Sequence, residues 1–431
     1  MPEHLPNVSS LKNKIIFLCI SVFCIAFICN ALCPVTSMIA CSGMIGVTAA
    51  LKMITILSTS KKQRTEEHKY ATHIESITEF PLYTIIVPIF MERKQDIKRI
   101  RYNIKKLQYP NIEVLYITEE IDLVVNSIFA QMTLESYEKY ITIPRIAPFT
   151  KPKACNYALE FARGKYITIY DIEDKPHPYQ LHCAHYMFSN DKNLACIQFP
   201  LEFEEGYTIH EMWQRIDYIL WYNCMLNAFR MQNVPLPLGG TSNHFVTHDL
   251  RMAGGWDSYN VTEDAELGIR LFHLGYKMQF CNAFTTIESP VLNIRNLYNQ
   301  RVRWAKGHLI TTIQTAPMLL NNKKFYAATV VVYFLLLPWI IFVLSVMVFL
   351  LSITNAEIYH NNTTISIICI NILGFFAMPF VYFIFIKKMR TVKMIIPVLT
   401  YNIFCIFYLG IFWKALLECV NAPHKWYKTV R

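Results

Sequence analysis

Five stretches of this chain are apolar for longer than a soluble globule normally allows. A helix crossing the hydrocarbon core of a bilayer, about 30 Å thick, needs about 20 mostly apolar residues. Residues 15–33 (IIFLCISVFCIAFICNALC) carry no charge, and residues 34–57 follow with Lys52 as their only one. Pro34 separates the two runs, so they read as a hairpin. Residues 326–352, 365–386 and 394–413 repeat the pattern. Charged residues are 17% of the chain and hydrophobic residues 53%, against about 25% charged in soluble domains. This balance excludes a disordered, collagen-like or coiled-coil chain. The cysteine count is odd, at 13, and Cys19, Cys24, Cys29, Cys33 and Cys41 sit inside apolar runs. They read as reduced hydrophobic residues, not as a disulfide framework.

Loop charge sets the expected orientation. Lys12, Lys14, Lys61, Lys62 and Arg64 flank the first hairpin, and Lys387, Lys388, Arg390 and Lys393 separate the last two runs. The loop 353–364 (ITNAEIYHNNTT) has no Lys or Arg. The expected organisation is a transmembrane hairpin (1–57), a cytoplasmic domain (58–325), transmembrane helices (326–413) and a basic tail (414–431). Three full crossings after residue 325 would place that tail outside. Pro397 permits a bent, re-entrant or interfacial last segment, so a cytoplasmic tail is the reading taken. The net charge of +10 suits a membrane surface or a phosphate-bearing partner better than duplex DNA, and no nucleic-acid partner is expected.

Residues 58–325 suffice for one large α/β domain. The runs 83–89 (YTIIVPI), 112–118 (IEVLYIT) and 166–170 (YITIY) read as β-branched strands, and 96–107 (DIKRIRYNIKKL) as a basic helix. In 153–163, Ala154, Ala158 and Ala162 recur every fourth residue, which predicts a helix that Gly164 ends. Strand–helix–strand alternation argues for a mostly parallel sheet, with ligands at the carboxyl ends of its strands.

Polar clusters appear where such a sheet would place a site. Asp171-Ile172-Glu173-Asp174 follows the strand YITIY. If the segment stays extended, Asp171 and Glu173 point the same way and present two carboxylates to a hard cation such as Mg²⁺ or Mn²⁺. Read alone, it is equally a solvated acidic turn. Thr262-Glu263-Asp264 opens a helix with Thr262 as N-cap, an apolar stripe at Leu267, Leu271 and Leu274, and Gly275 as its stop. Acidic residues also favour any first helical turn. In Gln300-Arg301-Val302-Arg303-Trp304, helical spacing puts Gln300, Arg303 and Trp304 on one face. A guanidinium there fits a diphosphate and an indole stacks on a sugar. The same residues also suit a basic helix at a membrane surface. The stretch Gly239-Gly240-Thr241-Ser242-Asn243 permits close backbone approach to a ligand. The aromatic span 208–231 fits either an interfacial or an internal helix.

Taken in order, these segments resemble family 2 glycosyltransferases of the membrane-bound, cellulose-synthase-like type, over roughly 80–310. TIIVPIFME (84–92) resembles the opening strand and nucleotide loop, KPKACNYAL (151–159) a lysine–asparagine segment, DIEDKP the D-x-D motif, GGWDSYNVTED (254–264) the stretch ending in T-E-D, and QRVRW the Q-x-x-R-W motif. DIEDKP, GGTSNHF and Trp426-Tyr427-Lys428-Thr429 further resemble a bacterial subgroup. The resemblance implies an α/β GT-A (nucleotide-diphospho-sugar transferase) domain inserted between transmembrane α-helices. It implies that Asp122 lies near the uridine, that Lys153 and Asn156 line the nucleotide site, and that Asp171 and Glu173 hold the metal. Glu173 stands where the family has a second Asp, and Asp174 is an extra acid without a role. Asp264 would be the general base and Glu263 beside it a substrate-binding residue, with Gln300, Arg303 and Trp304 at the acceptor end and diphosphate. Mg²⁺ or Mn²⁺ would be the cofactor. Expected partners are a nucleotide-sugar donor, a glycan or lipid-linked acceptor, membrane lipids, and a partner subunit or second copy to complete a small helix bundle. The expected setting is the bacterial inner membrane, with the catalytic domain on the cytoplasmic side. The expected reaction is β-linked polysaccharide synthesis with inversion. Single-sugar transfer to a lipid acceptor and a catalytically silent membrane scaffold or transport subunit are the alternatives.

Overall fold

A computed structural model describes residues 77–320 apart from 207 and 233, residues 335–344 and 346–347, residues 395–426 and 428, and scattered single positions before 77. The runs 15–33 and 34–57 lie outside the described residues except at isolated positions, and 365–386 lies wholly outside them. Among the described residues no helix is long and apolar enough to cross a membrane.

The chain alternates β1 (Tyr83–Ile89), α1 (Lys94–Lys105), β2 (Ile112–Glu119), α2 (Leu123–Ala130), β3 (Glu138–Ile143), α3 (Lys151–Phe161) and β4 (Tyr166–Ile169). It continues with α4 (Gln180–Asn190), β5 (Leu194–Gln198), β6 (Leu201–Phe203), α5 (Ile209–Ile219), a π-helical turn (Leu220–Leu226), α6 (Asn227–Gln232), β7 (Asn243–Val246) and α7 (Thr247–Met252). The last elements are α8 (Glu263–His273), β8 (Lys277–Phe280), β9 (Thr286–Glu288), α9 (Ile294–Leu320) and α10 (Ile395–Asn421). A seven-stranded sheet has the order β3-β2-β1-β4-β7-β5-β8, and β6 pairs with β9. β1, β2, β3 and β4 are mutually parallel, as the β-branched runs and intervening helices predict. β7 is antiparallel to both β4 and β5.

Strand alternation splits the core into two layers. Tyr83, Ile85, Val87 and Ile89 of β1 pack with Ile97, Ile100 and Ile104 of α1 and Leu181 and Cys183 of α4. Ile86 of β1 and Ile167 and Ile169 of β4 face Ala154, Ala158 and Leu159 of α3 and Leu267 and Ile269 of α8. The aromatic span 208–231 packs much of its surface into the core. Trp213, Tyr218, Tyr222 and Phe229 are buried in the second layer, together with Tyr401 and Phe404 of α10.

The run 394–413 falls on α10, which lies against α5 and α9. Trp213 Nε1 donates to the Pro397 carbonyl at 3.1 Å. The Asp217 carboxylate accepts from Tyr401 at 3.0 Å and from Tyr408 at 3.3 Å, and pairs with Arg301 at 2.9 Å. Arg301 is buried, with its guanidinium 4.2 Å from the Trp304 ring centroid. A buried charge of this kind persists only when paired, so Asp217 ties α5, α9 and α10 into one unit.

Candidate active site

Sheet topology brings distant segments together. Because β7 runs against β4, its entry lies beside the exit of β4. Ser242 N–H donates to the Ile169 carbonyl at 3.0 Å, and Thr241 Oγ1 reaches the same carbonyl at 3.0 Å. Gly239-Gly240-Thr241 is thereby laid against Asp171–Asp174.

The acidic segment is a turn, not the extended run on which the expected joint presentation of Asp171 and Glu173 depends. Asp174 N–H donates to the Asp171 carbonyl at 3.1 Å. The fully buried Asp174 carboxylate accepts Asp171 N–H at 2.7 Å and the Thr241 hydroxyl. Those two backbone and side-chain donors fold the segment back on itself. Burial, with Glu288 and Asp171 nearby, pushes the Asp174 pKa well above the usual carboxylate range. Asp174 is therefore the structural acid of the motif. Asp171 and Glu173 stay partly exposed on the turn.

Lys151 is the residue that the sequence reading passed over. Its ammonium donates to Asp171 Oδ1 at 2.5 Å and to the Gly240 carbonyl at 2.6 Å. Pro152, at the first turn of α3, suits a helix start at this point. A Cβ on Gly240 would lie 3.4 Å from Asp264 Oδ2 and 3.7 Å from Lys151 Nζ. Asp171 and Asp264, 93 positions apart in the chain by their numbers, thus meet around one ammonium and one glycine.

The T-E-D segment is held from two sides. On the α3 side, Thr150 Oγ1 donates to the Ser258 carbonyl at 2.8 Å. Asn156 donates to the Trp256 carbonyl at 2.6 Å and accepts Trp256 N–H at 2.8 Å. Gly255 has φ +69°, and a Cβ there would collide with the Asn156 amide. Asn156 therefore braces the loop that delivers Asp264, where the sequence placed it at the nucleotide. On the α9 side, Gly307 packs directly on Thr262, and a Cβ there would lie 2.5 Å from Thr262 Cγ2. Thr262 occupies the N-cap position of α8 but makes no side-chain capping bond. Its hydroxyl instead donates to Asn260 Oδ1 at 3.3 Å. Leu267 and Leu271 are buried as expected, Leu274 is exposed, and Gly275 ends the helix with φ +91°.

Glu263 and Asp264 are adjacent acids in a crowded setting. Burial and the Asp264 charge push the Glu263 pKa up to about 7, with Lys151 and Arg303 opposing. Burial raises Asp264 too, while Ala265 N–H, which donates to its Oδ1 at 2.8 Å, and Lys151 and Arg303 favour its ionised form. Arg303 Nη1 donates to the Val261 carbonyl at 3.1 Å, and its charge is balanced by Glu263, Asp264 and Asp171. Gln300 is buried, and its Oε1 has no hydrogen-bond partner among the described residues. Trp304 packs between Arg301 and Tyr218.

The remaining expected residues sit at the strand ends next door. Asp122 caps α2 by accepting Val125 N–H at 3.2 Å, and its other oxygen accepts Met91 N–H, so it pins the exit of β1. Lys153 is paired with Glu119 at 2.7 Å and donates to the Ile146 carbonyl at 2.6 Å. The segment after α10 returns to this edge. His424 Nδ1 lies 2.7 Å from the Tyr259 carbonyl. Trp426 stacks edge-on to Phe90. Lys428 pairs with Glu92 at 2.9 Å and donates to the Met91 carbonyl at 2.6 Å. Residues 427 and 429–431 lie outside the described residues.

The donor set at the turn is hard carboxylate oxygen, Asp171 and Glu173, and a cation, the Lys151 ammonium, already stands at Asp171. Such a set suits Mg²⁺ or Mn²⁺ completed by phosphates and water. Among the described residues no group of three or more His, Cys, Asp or Glu side chains is placed to hold a metal by itself.

Comparisons with known proteins bear on the family and the fold. Residues 84–247 match Glycosyl transferase family 2. A probable glycosyltransferase of Bacillus subtilis, YdaM, is 23% identical over 264 residues, covering 58% of this chain and 60% of that protein. The cellulose synthase catalytic subunit of Pseudomonas fluorescens is 25% identical over 215 residues, covering 48% of this chain and 29% of that one. The chain thus spans less than two thirds of these relatives' lengths. Among solved structures, the mannosyltransferase PcManGT from Pyrobaculum calidifontis, in complex with GDP-Man and Mn²⁺, shares the fold. Its TM-score is 0.59 at 14% identity, covering 89% of this chain and 99% of that one. Residues 166–417, more than half of the chain, match Glycosyl transferase family group 2, and the chain belongs to that family.

Proposed function

We propose that this protein is a membrane-embedded, inverting hexosyltransferase. It moves a sugar from a nucleotide-diphosphate donor, taken to be a UDP-sugar, onto a growing polysaccharide. The observation that carries the reading is the meeting of Asp171, Lys151, Gly240 and Asp264 around one point, with Arg303 held beside the same acids. A sugar hydroxyl is a weak nucleophile at neutral pH, and a carboxylate within hydrogen-bond reach accepts its proton as the new bond forms. Asp264 has that role. The leaving nucleoside diphosphate gains charge, which Arg303 and Lys151 stabilise. Asp171 and Glu173 would hold Mg²⁺ or Mn²⁺, which when bound neutralises the diphosphate. One base and direct displacement turn an α-linked donor into a β-linkage without a covalent enzyme intermediate.

Two relatives, cellulose synthase catalytic subunits of Dictyostelium discoideum and Pseudomonas fluorescens, support a polymer product. GDP-Man and Mn²⁺ on a neighbour's fold support a metal-dependent nucleotide-sugar donor. The apolar runs and their flanking charges support a membrane setting with the active site on the cytoplasmic side. A second reading, transfer of one sugar to a lipid acceptor, has its own support. The β-monoglucosyldiacylglycerol synthase of Trichormus variabilis is 24% identical over 239 residues, covering 49% of that protein.

The test is a panel of labelled nucleotide sugars on purified protein in nanodiscs, with product sizing and NMR of the new anomeric centre. A β-linked ladder supports polymer synthesis. A single addition favours the second reading. An α-linked product from an α-linked donor, or no turnover of any donor with Mg²⁺ or Mn²⁺, refutes the mechanism.

A further inference from the structure

Stabilising the leaving diphosphate does not by itself explain why the Lys151 ammonium rests on Asp171. The ammonium is held 2.5 Å from Asp171 Oδ1 and 2.6 Å from the Gly240 carbonyl. The contact is built into the fold. Lys151 begins α3 with Pro152 behind it, and Thr150 before it is tied to the Ser258 carbonyl at 2.8 Å. The side chain is only 16% exposed, so Lys151 is no solvated surface lysine. A divalent cation and an ammonium repel each other, so at one carboxylate they compete for the same charge.

We propose that Lys151 is the resident counter-ion of Asp171, with which the metal competes, and that it couples metal binding to nucleotide binding. This rests on the reading of Asp171 as a metal ligand. Without nucleotide, the ammonium holds Asp171 and weakens the site for a free metal ion. A nucleoside diphosphate brings negative oxygens that give the ammonium a new partner, while the Gly240 carbonyl continues to accept from it. Metal and nucleotide then favour each other's binding by the same factor, as linkage requires. No bond is made or broken in the exchange; one ion pair replaces another.

The experiment is Mn²⁺ titration followed by electron paramagnetic resonance, with and without UDP and corrected for Mn²⁺–UDP formed free in solution. It uses the full chain in nanodiscs with four proteins: wild type, Lys151→Gln, Lys151→Arg and Asp171→Asn. An opposite charge beside a carboxylate shifts its cation affinity by about ten- to a thousandfold. Lys151→Gln is therefore expected to bind Mn²⁺ alone at least about tenfold more tightly than wild type and to lose most of the UDP-dependent gain. Lys151→Arg, which keeps the charge, is expected to stay near wild type and guards against a folding defect in the glutamine variant. Unchanged or weaker Mn²⁺ binding in Lys151→Gln, with wild-type binding still lost in Asp171→Asn, overturns the counter-ion role alone. Mn²⁺ binding indifferent to Asp171→Asn overturns the metal-site reading and this inference with it.

Discussion

Replacing Gly307 by alanine tests whether the contact between α9 and the T-E-D segment sets the geometry of catalysis. The added Cβ would stand 2.5 Å from Thr262 Cγ2 and 2.9 Å from its Cβ. Ordinary van der Waals contact begins near 3.4 Å, so α9 and Thr262 must separate by close to 1 Å. Two effects on stability oppose. Overpacking costs about 1–3 kcal/mol, whereas alanine is preferred over glycine in a helix by about 1 kcal/mol. The net loss should be about 2 kcal/mol or less, and the protein should remain folded. Catalysis has no such compensation. Arg303 lies one turn before Gly307 on α9, and Asp264 lies two residues after Thr262, so the shift moves the two reacting faces apart. A 1 Å misplacement costs about 10²-fold in rate. The assay is nucleoside-diphosphate release under saturating donor, paired with thermal unfolding. The expected result is a kcat about a hundredfold lower with only a modest Tm change. Adding Thr262→Ala removes the methyl and hydroxyl that clash, so the double variant should show a coupling energy of about 0.5–3 kcal/mol in a double-mutant cycle. A wild-type kcat in Gly307→Ala would refute the reasoning.

Three further perturbations follow from the site. Glu263 has a folded-state pKa of about 7 because of burial and the Asp264 charge. For an acid raised in this way the stability is fully present below its unfolded pKa and is lost as pH rises through the folded value. Denaturant midpoints should fall from about pH 5 to pH 7, by at most about 1.4 kcal/mol per pH unit, and Glu263→Gln should flatten that slope. Asp174 is buried and favours its neutral form. Asp174→Asn should therefore cost less than about 1.5 kcal/mol, whereas Asp174→Ala leaves Asp171 N–H without its acceptor, leaves the Thr241 hydroxyl only the Ile169 carbonyl, opens a buried void and should cost about 2–4 kcal/mol. Equal losses in chemical denaturation would contradict this. Lys428→Met removes the pair with Glu92 and the bond to the Met91 carbonyl. It should raise the donor KM several-fold in a salt-dependent manner, and an unchanged KM together with full turnover after deletion of 424–431 would show that this segment has no part in donor binding.

The parts of the fold that the sequence displayed are those set by local pattern. The β-branched runs of β1, β2 and β4 and the alanine repeat of α3 fell within two residues of their observed places. Gly275 also stops α8 as read. What it concealed depends on partners far along the chain. GGTSNHF reads as a loop, yet Asn243–Val246 is a central strand. Its place is fixed by pairing with β4 and β5, and no local signal encodes it. The acidic segment looked extended because alternation was the only available guide. Its turn is imposed by Asp174, whose buried carboxylate finds Thr241 67 positions away. The span 208–231 was ambiguous because an interfacial and a core helix share one pattern. Asp217 fixes its packing against α9 and α10 through Arg301, Tyr401 and Tyr408, three residues no window on the span includes. Lys151 was masked by Lys153 two positions on, which resembled the family segment but pairs with Glu119. Chain spacing identified the acids; only the antiparallel insertion of β7 explains why they meet.

The most direct measurement on the whole account is the behaviour of Asp264→Asn. The substitution keeps the shape and the acceptor for Ala265 N–H but removes the base. Donor affinity with Mn²⁺ present, read by calorimetry, should stay within about threefold of wild type. Transfer to acceptor in the same preparation should fall by about 10²- to 10⁴-fold. Transfer at the wild-type rate by a folded, donor-binding Asp264→Asn protein would mean that the proton leaves by another route, and the proposed site would be wrong at its centre.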